Sequence, residues 1–246
     1  MLLMSLGFGL IARFEMFQSL ASWLSANLNP AIIHNMEKYH ILKKVHYLSA
    51  IEDIEGDYLE FGVYKGSSFT HSVRVYKYLK RQYSQEKRMR FFGFDSFSGF
   101  GELNDDEQHP FYSQVDFTST YREVSKRIGR VAGDVEYQLI PGYFNESLSG
   151  GAQQYGISKS CIIFIDSDTY SSASEALEFC LPTIQKGTYI ILDDHFSYKG
   201  SESKGVARAF NEFVQSGHLT VRKVFSYGMG GSVYVVSDID DGSAAV

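Results

Sequence analysis

Cys161-Ile-Ile-Phe-Ile165 and Thr188-Tyr-Ile-Ile-Leu192 are short β-branched apolar runs, and each ends in acid. Asp166-Ser167-Asp168 follows the first and Asp193-Asp194-His195 the second. Between them the spacing predicts a helix over Ser171–Lys186, with Ala173, Ala176, Leu177 and Leu181 on one stripe and Lys186-Gly187 as its stop. Strand, helix, strand is a βαβ unit, whose right-handed crossover makes the two strands parallel. Four carboxylates therefore leave two parallel strands at their carboxyl ends, where open α/β sheets bind ligands. That is a candidate metal site.

Upstream, Tyr58-Leu-Glu-Phe61 reads as a strand running into Gly62-Val-Tyr-Lys-Gly66-Ser67-Ser68, followed by a helix over Ser67–Tyr83. Strand, glycine turn and helix N-terminus make a nucleotide-binding corner. A pyrophosphate-binding G-x-G-x-x-G would need glycine at 62, 64 and 67, yet Tyr64 and Ser67 hold two of those places. The loop instead reads E-x-G-x-x-x-G from Glu60. An acid there repels phosphate and attracts an ammonium, so the expected cofactor carries an amino group and no phosphate. A second strand, Arg90–Phe94, ends in Asp95-Ser96, an acid placed to chelate the two hydroxyls of a ribose.

Residues 97–119 form a long insertion of the kind that makes lids and binding loops. A helix over Tyr121–Val131, a strand over Glu136–Ile140 and the turn Pro141-Gly142-Tyr-Phe144 follow. After the opening stretch come a helix over Lys204–Gln215 and a hairpin, Thr220–Phe225 with Ser232–Val236. The N-terminal fifty residues read as two helices, one from Phe14 to Leu28 and one over Ile32–Ile51, interrupted at Asn29-Pro30. His34, His40 and His46 are six apart, on different faces, which suits surface or packed histidines better than a metal cluster.

The charge, 23 basic against 29 acidic residues, is −6 and argues against nucleic acid as a partner. Two cysteines, Cys161 and Cys180, do not make a disulfide framework; buried thiols and a cytoplasmic setting are expected. Met1–Ala12 is apolar and uncharged but shorter than the ~20 residues of a bilayer span, and no basic stretch precedes it. It is expected to pack or dimerise, with an interfacial membrane anchor as the other reading. No linker or repeat divides the 246 residues: an N-terminal helical extension, 1–52, precedes one domain, 53–240.

Four motifs in this order, Glu60-Phe-Gly-Val-Tyr-Lys-Gly66, Phe94-Asp-Ser96-Phe-x-Gly99, Phe164-Ile-Asp166-Ser-Asp168-x-Tyr170 and Ile190-Ile-Leu-Asp193-Asp194, resemble the macrocin O-methyltransferase family. The resemblance covers about Gly56 to Val236. It implies a Rossmann-like α/β fold of the class I methyltransferase type, mostly parallel with an antiparallel last strand and helices on both faces. It implies S-adenosylmethionine as cofactor and a sugar hydroxyl as methyl acceptor. Glu60 and Gly62 would hold the methionine end and Asp95 the ribose. Ser67, Ser96, Gly142, Phe144 and Asp166 complete the expected cofactor set, and Asp166, Asp193 and Asp194 would be the metal ligands. Two departures, Thr169-Tyr170-Ser-Ser-Ala173 for a common Leu-Tyr-Glu-Ser-Thr and His195 for a usual tyrosine, lie near the acceptor side. The acceptor, a small molecule or glycan with a free hydroxyl, therefore does not follow from the resemblance.

Hard oxygen ligands without a histidine or cysteine cluster favour Mg²⁺, or else Mn²⁺, over Zn²⁺, and such an ion lowers the pKa of a bound hydroxyl. Asp166 is the expected general base. His195 is either its rival or an ordinary loop histidine. Two further readings stand beside this one: a metal-dependent glycosyltransferase using Asp166-Ser167-Asp168 as a D-x-D, and a non-catalytic binding domain on the same fold. A homo-oligomer is expected.

Overall fold

The computed structural model describes residues 14–83, 88–101, 103–112 and 117–240. The apolar Met1–Ala12 lies outside the described residues. Seven strands form one sheet: β1 (Asp57–Phe61), β2 (Phe91–Asp95), β3 (Tyr137–Pro141), β4 (Ser160–Ile165), β5 (Tyr189–Leu192), β6 (Leu219–Tyr227) and β7 (Gly231–Ile239), in the spatial order β3-β2-β1-β4-β5-β7-β6. The first five are parallel to one another, and β7 enters antiparallel between β5 and β6. This is the mostly parallel α/β sheet with a terminal hairpin that the sequence predicts. The order reverses between β1 and β4, which opens a crevice at their carboxyl ends.

The strand side chains alternate between two cores, as the period of two requires. Tyr58, Phe91, Ile162, Phe164 and Ile191 face helices α2 (Pro30–Ile51), α3 (Ser67–Tyr83) and α4 (Tyr121–Ala132). Leu59, Phe61, Phe94, Ile163, Ile165 and Leu192 face α5 (Tyr170–Cys180) and α6 (Gly205–Ser216). Helix α2 is part of the first core, through Ile41, Leu42 and Val45, so the extension and the domain share one core across residue 52. Helix α1 (Glu15–Asn27) buries nothing of its own.

Two local readings change. Asn29-Pro30, an interruption by composition, is the start of α2: proline takes a first-turn position and the Asn29 side chain accepts from the Ala31 N–H at 2.9 Å. Helix α5 stops at Cys180, short of Lys186, because Pro182 brings no N–H for another turn; a 3₁₀ turn, Leu181–Thr183, finishes it. Cys161 and Cys180 are free and buried. No described helix is long and apolar enough to cross a membrane.

Strand β1 is buried throughout, and it carries a carboxylate inside. Glu60 is fully buried, with Tyr58 Oη donating to one oxygen at 2.5 Å and Ser68 Oγ to the other at 2.6 Å. Burial outweighs these two donors and lifts its pKa to about 7. The strand then ends on Gly62, at φ +94°, where a Cβ would stand 1.8 Å from the Asp166 carbonyl oxygen.

Two predictions follow from β1. Gly62→Ala combines that clash with a strained φ and should cost at least ~3 kcal/mol; a urea midpoint equal to wild type would refute the close approach. Glu60 binds its proton more tightly folded than unfolded. Its contribution is thus full below about pH 4.5 and is lost as the pH rises through about 7. Wild type should lose several degrees of Tm between pH 5 and pH 8 relative to Glu60→Gln; parallel Tm–pH curves would show that Glu60 ionises as a surface acid does.

Candidate active site

Asp193, Asp166, Gly62, Asp95 and Gly142 stand along the carboxyl ends of the strands, where backbone hydrogen bonds link adjacent strands at or just past their ends. The Asp193 N–H donates to the Ile165 carbonyl at 3.0 Å and the Asp166 N–H to the Phe61 carbonyl at 2.8 Å. The Gly62 N–H donates to the Phe94 carbonyl at 2.9 Å, and the Gly142 N–H to the Asp95 carbonyl at 3.0 Å. One row of hydrogen bonds thus runs from the second acidic motif to the turn after β3, and it aligns the acids with the glycine loop.

Asp166, Asp193 and Asp194 come together, with one oxygen of each inside 4.8 Å of the others. Asp168 stands outside this group. Its backbone is left-handed, φ +63°, and its carbonyl accepts from Tyr112 Oη at 3.0 Å. Neither Asp166 nor Asp168 caps α5; Thr169 does, accepting from the Ser172 N–H at 3.3 Å.

The acids are met by residues that composition and motif did not single out. Lys38 Nζ, on α2, lies 2.9 Å from Asp166 Oδ2 and 2.7 Å from Asp193 Oδ2. His34 Nε2, one turn earlier, is 3.0 Å from the same Asp193 oxygen, and Tyr227 Oη donates to Asp193 Oδ1 at 2.7 Å. His34 is therefore a site residue, whereas His40 is exposed and His46 is buried against Tyr58 and Phe91. The available signal was His34 with Lys38 at i,i+4, the polar start of the stripe that continues through Ile41, Leu42 and Val45. Tyr227 had no signal; it comes from the hairpin turn.

Electrostatics divides the acids. Burial alone would raise Asp193, but Lys38 and then His34 hold it well below the usual carboxylate range. Burial, and next the Asp193 charge, raises Asp166 well above that range and Asp194 to about 6. Asp168 is raised by burial and by Asp194. One lysine thus faces four carboxylates. Two unscreened carboxylates ~4 Å apart repel by roughly 4 kcal/mol at an effective dielectric near 20. An all-oxygen donor set with surplus negative charge fits a hard divalent cation.

On the cofactor side, Asp95 sits at the mouth of the glycine loop. Its oxygens accept the Tyr64 N–H at 2.7 Å and the Phe97 N–H at 2.6 Å, and burial raises its pKa against them. Ser67 opens α3, Ser96 Oγ donates to the Gly99 carbonyl at 2.8 Å, and Phe144 stacks edge-on against Phe61. Glu60 is fully buried, and each of its oxygens accepts one hydrogen bond, from Tyr58 and Ser68. Through Ser68 it braces the first turn of α3.

His195 Nε2 pairs with Tyr234 Oη at 2.9 Å, its ring packs among Phe196, Phe210 and Tyr234, and burial pushes its pKa down to about 4. The long insertion folds across the acids. Buried Glu107 accepts the Ser171 N–H at 2.7 Å, the Glu107 carbonyl accepts from Tyr198 Oη at 2.7 Å, and Tyr112 reaches Asp168.

Comparison with known proteins bears on the fold and the family. A 4'-O-methyltransferase of Streptomyces olivaceus, acting on 8-demethyl-8-(2,3-dimethoxy-alpha-L-rhamnosyl)-tetracenomycin-C, is 26% identical over 179 residues. The match covers 68% of this chain and 64% of that relative's length. Among solved structures, the O-methyltransferase NovP superposes with a TM-score of 0.65 at 17% identity, covering 81% of this chain and 79% of that one. The calicheamicin methyltransferase CalS11 gives 0.65 at 19%, covering 94% and 90%. Both share the fold. The family model for macrocin-O-methyltransferase (TylF) matches residues 29–222, from the first turn of α2 into β6, and the chain belongs to that family.

Proposed function

We propose that this chain transfers a methyl group from S-adenosylmethionine to a hydroxyl of a sugar, on a natural product or polysaccharide, with Mg²⁺ held by Asp166, Asp193 and Asp194. The observation that carries it is the row of backbone hydrogen bonds that sets a phosphate-averse glycine loop and Asp95 beside the acid trio. The family membership and the rhamnosyl substrate named for the Streptomyces relative support the same reading.

An alcohol attacks a sulfonium methyl well only as its proton leaves. Bound Mg²⁺ would supply polarisation of the acceptor hydroxyl and lower its pKa. Asp166 takes the proton: the bond from its N–H to the Phe61 carbonyl sets it at the end of β4, beside the start of the glycine loop. As the O–C bond forms the S–C bond breaks, leaving a methyl ether and S-adenosylhomocysteine. Asp193, fixed through Oδ1 by Tyr227, keeps its position in the trio. Asp95 binds the ribose hydroxyls on the lone pairs that Tyr64 and Phe97 leave free. His195, bound to Tyr234, is not the base. The aromatic insertion, where Phe100 packs on Tyr112 and Phe117, selects the acceptor.

Half-exposed Phe17, Leu20, Trp23 and Leu24 on α1 support a homo-oligomer, and the two free buried thiols suit a cytoplasmic setting.

Titration calorimetry with S-adenosylhomocysteine should give saturable one-to-one binding, and a nucleotide-sugar none; the opposite pattern sinks the methyltransferase reading. Asp193→Asn should lose Mg²⁺-stimulated turnover by about a hundredfold or more while binding S-adenosylhomocysteine within a few-fold of wild type. Turnover that survives excess chelator would remove the metal from the mechanism.

A further inference from the structure

Helix α2 is held in two different ways along its length. Its C-terminal half is fixed by apolar burial, through Ile41, Leu42 and Val45 in the core. Its first turns are held by polar contacts while Ile32 and Met36 stay exposed. The Gly228 N–H donates to Glu37 Oε2 at 2.5 Å and the Met229 N–H to His34 Nδ1 at 3.2 Å, while His34 Nε2 and Lys38 reach the acids. The N-terminal half of the helix therefore hangs on the hairpin turn and on the oxygens that a divalent cation would use.

The competition is direct. Lys38 Nζ touches Oδ2 of both Asp166 and Asp193 at bonding distance. Asp193 has both oxygens engaged, Oδ2 by Lys38 and His34 and Oδ1 by Tyr227. An ion ligated by Asp166 and Asp193 would stand within a few ångströms of the ammonium, and like charges at that distance inside a buried cluster repel strongly. Lys38 is itself nearly buried, 7% exposed, so it does not simply turn to solvent while its helix stays in place.

We propose that Lys38 is the built-in counter-ion of Asp166 and Asp193, that a divalent cation must displace it, and that this displacement loosens the first turns of α2. Lys38 is a positioning residue in this account: it acts on the acids and on α2, not on the acceptor. Loading of the site is thereby coupled to the N-terminal segment beside it, because the contacts that close the site without a metal are those the metal breaks. This rests on the metal reading of the acid trio.

The test uses the full chain titrated with MgCl₂ at constant ionic strength. Lys38→Met should bind Mg²⁺ at least about tenfold more tightly than wild type by calorimetry, and Lys38→Arg, which keeps the charge, should bind like wild type. Lys38→Met leaves two buried acids without their cation, so its Tm should be low without Mg²⁺ and should rise on adding it, far more than that of wild type. Hydrogen exchange of wild type should quicken over residues 31–38 on adding Mg²⁺ and stay unchanged over 41–49. Mg²⁺ affinity in Lys38→Met equal to or weaker than wild type, or unchanged exchange over 31–38, would overturn the proposal and leave the metal site standing. Failure of both wild type and Lys38→Met to bind Mg²⁺ would overturn the metal site as well.

Discussion

Like charges gathered in a buried place govern this molecule. Asp166, Asp193 and Asp194 leave β4 and β5 side by side, with Asp168 close behind. The parallel sheet gives them no choice: β4 and β5 are in register from Ile162–Tyr189 to Ile165–Leu192, so the residues after each end at the same height. Their mutual repulsion must be met by positive charge. Lys38 meets part of it, while burial, and next the Asp193 charge, keeps Asp166 and Asp194 raised. The position of α2, the anchoring of the hairpin turn and the capacity for a cation all follow from that imbalance.

The same edge explains why cofactor side and acid side form one site. Gly62 lets β1 end against the Asp166 carbonyl, a contact no other residue could make without moving one strand. From there the backbone bonds continue through Phe94 and Asp95 to Gly142. In the proposed reaction, a methyl donor at the glycine loop and an acceptor at the acids would be indexed to one hydrogen-bonded frame. Transfer in line depends on that relative placement more than on any one side chain.

What was legible in the sequence is what depends on short-range pattern. β-Branched runs that stop at an acid marked β4 and β5, and because ligands gather at strand ends, the same punctuation marked Asp95, Asp166, Asp193 and Asp194. Apolar spacing alone carries α5 on to Lys186 where Pro182 stops it, and Asn29-Pro30 has the composition of a break although the same two residues cap and start a helix. The missed site residues, His34, Lys38 and Tyr227, reach the acids from 128 to 159 residues away or from the far hairpin. No local rule connects them. Glu60 shows the converse: the motif located it, but only packing shows that Tyr58 and Ser68 each donate to one of its oxygens.

The geometry also separates the rival uses of Asp166-Ser167-Asp168. A sugar-nucleotide D-x-D needs both of its acids to face one ion, with phosphates on the other side. Here Asp168 adopts a left-handed backbone outside the trio, while Asp166 turns to Asp193 and Asp194, contributed by another strand. The neighbouring loop places Tyr64 where a pyrophosphate loop would need glycine, and the Tyr64 N–H that could have met a phosphate is spent on Asp95. A binding domain that had abandoned catalysis would have no reason to keep an uncompensated buried charge, which costs stability and is easily relieved by asparagine. Instead the surplus is present and braced from two elements, α2 through Lys38 and His34 and the end of β6 through Tyr227. That expense is what a site built to receive a cation and a hydroxyl would carry.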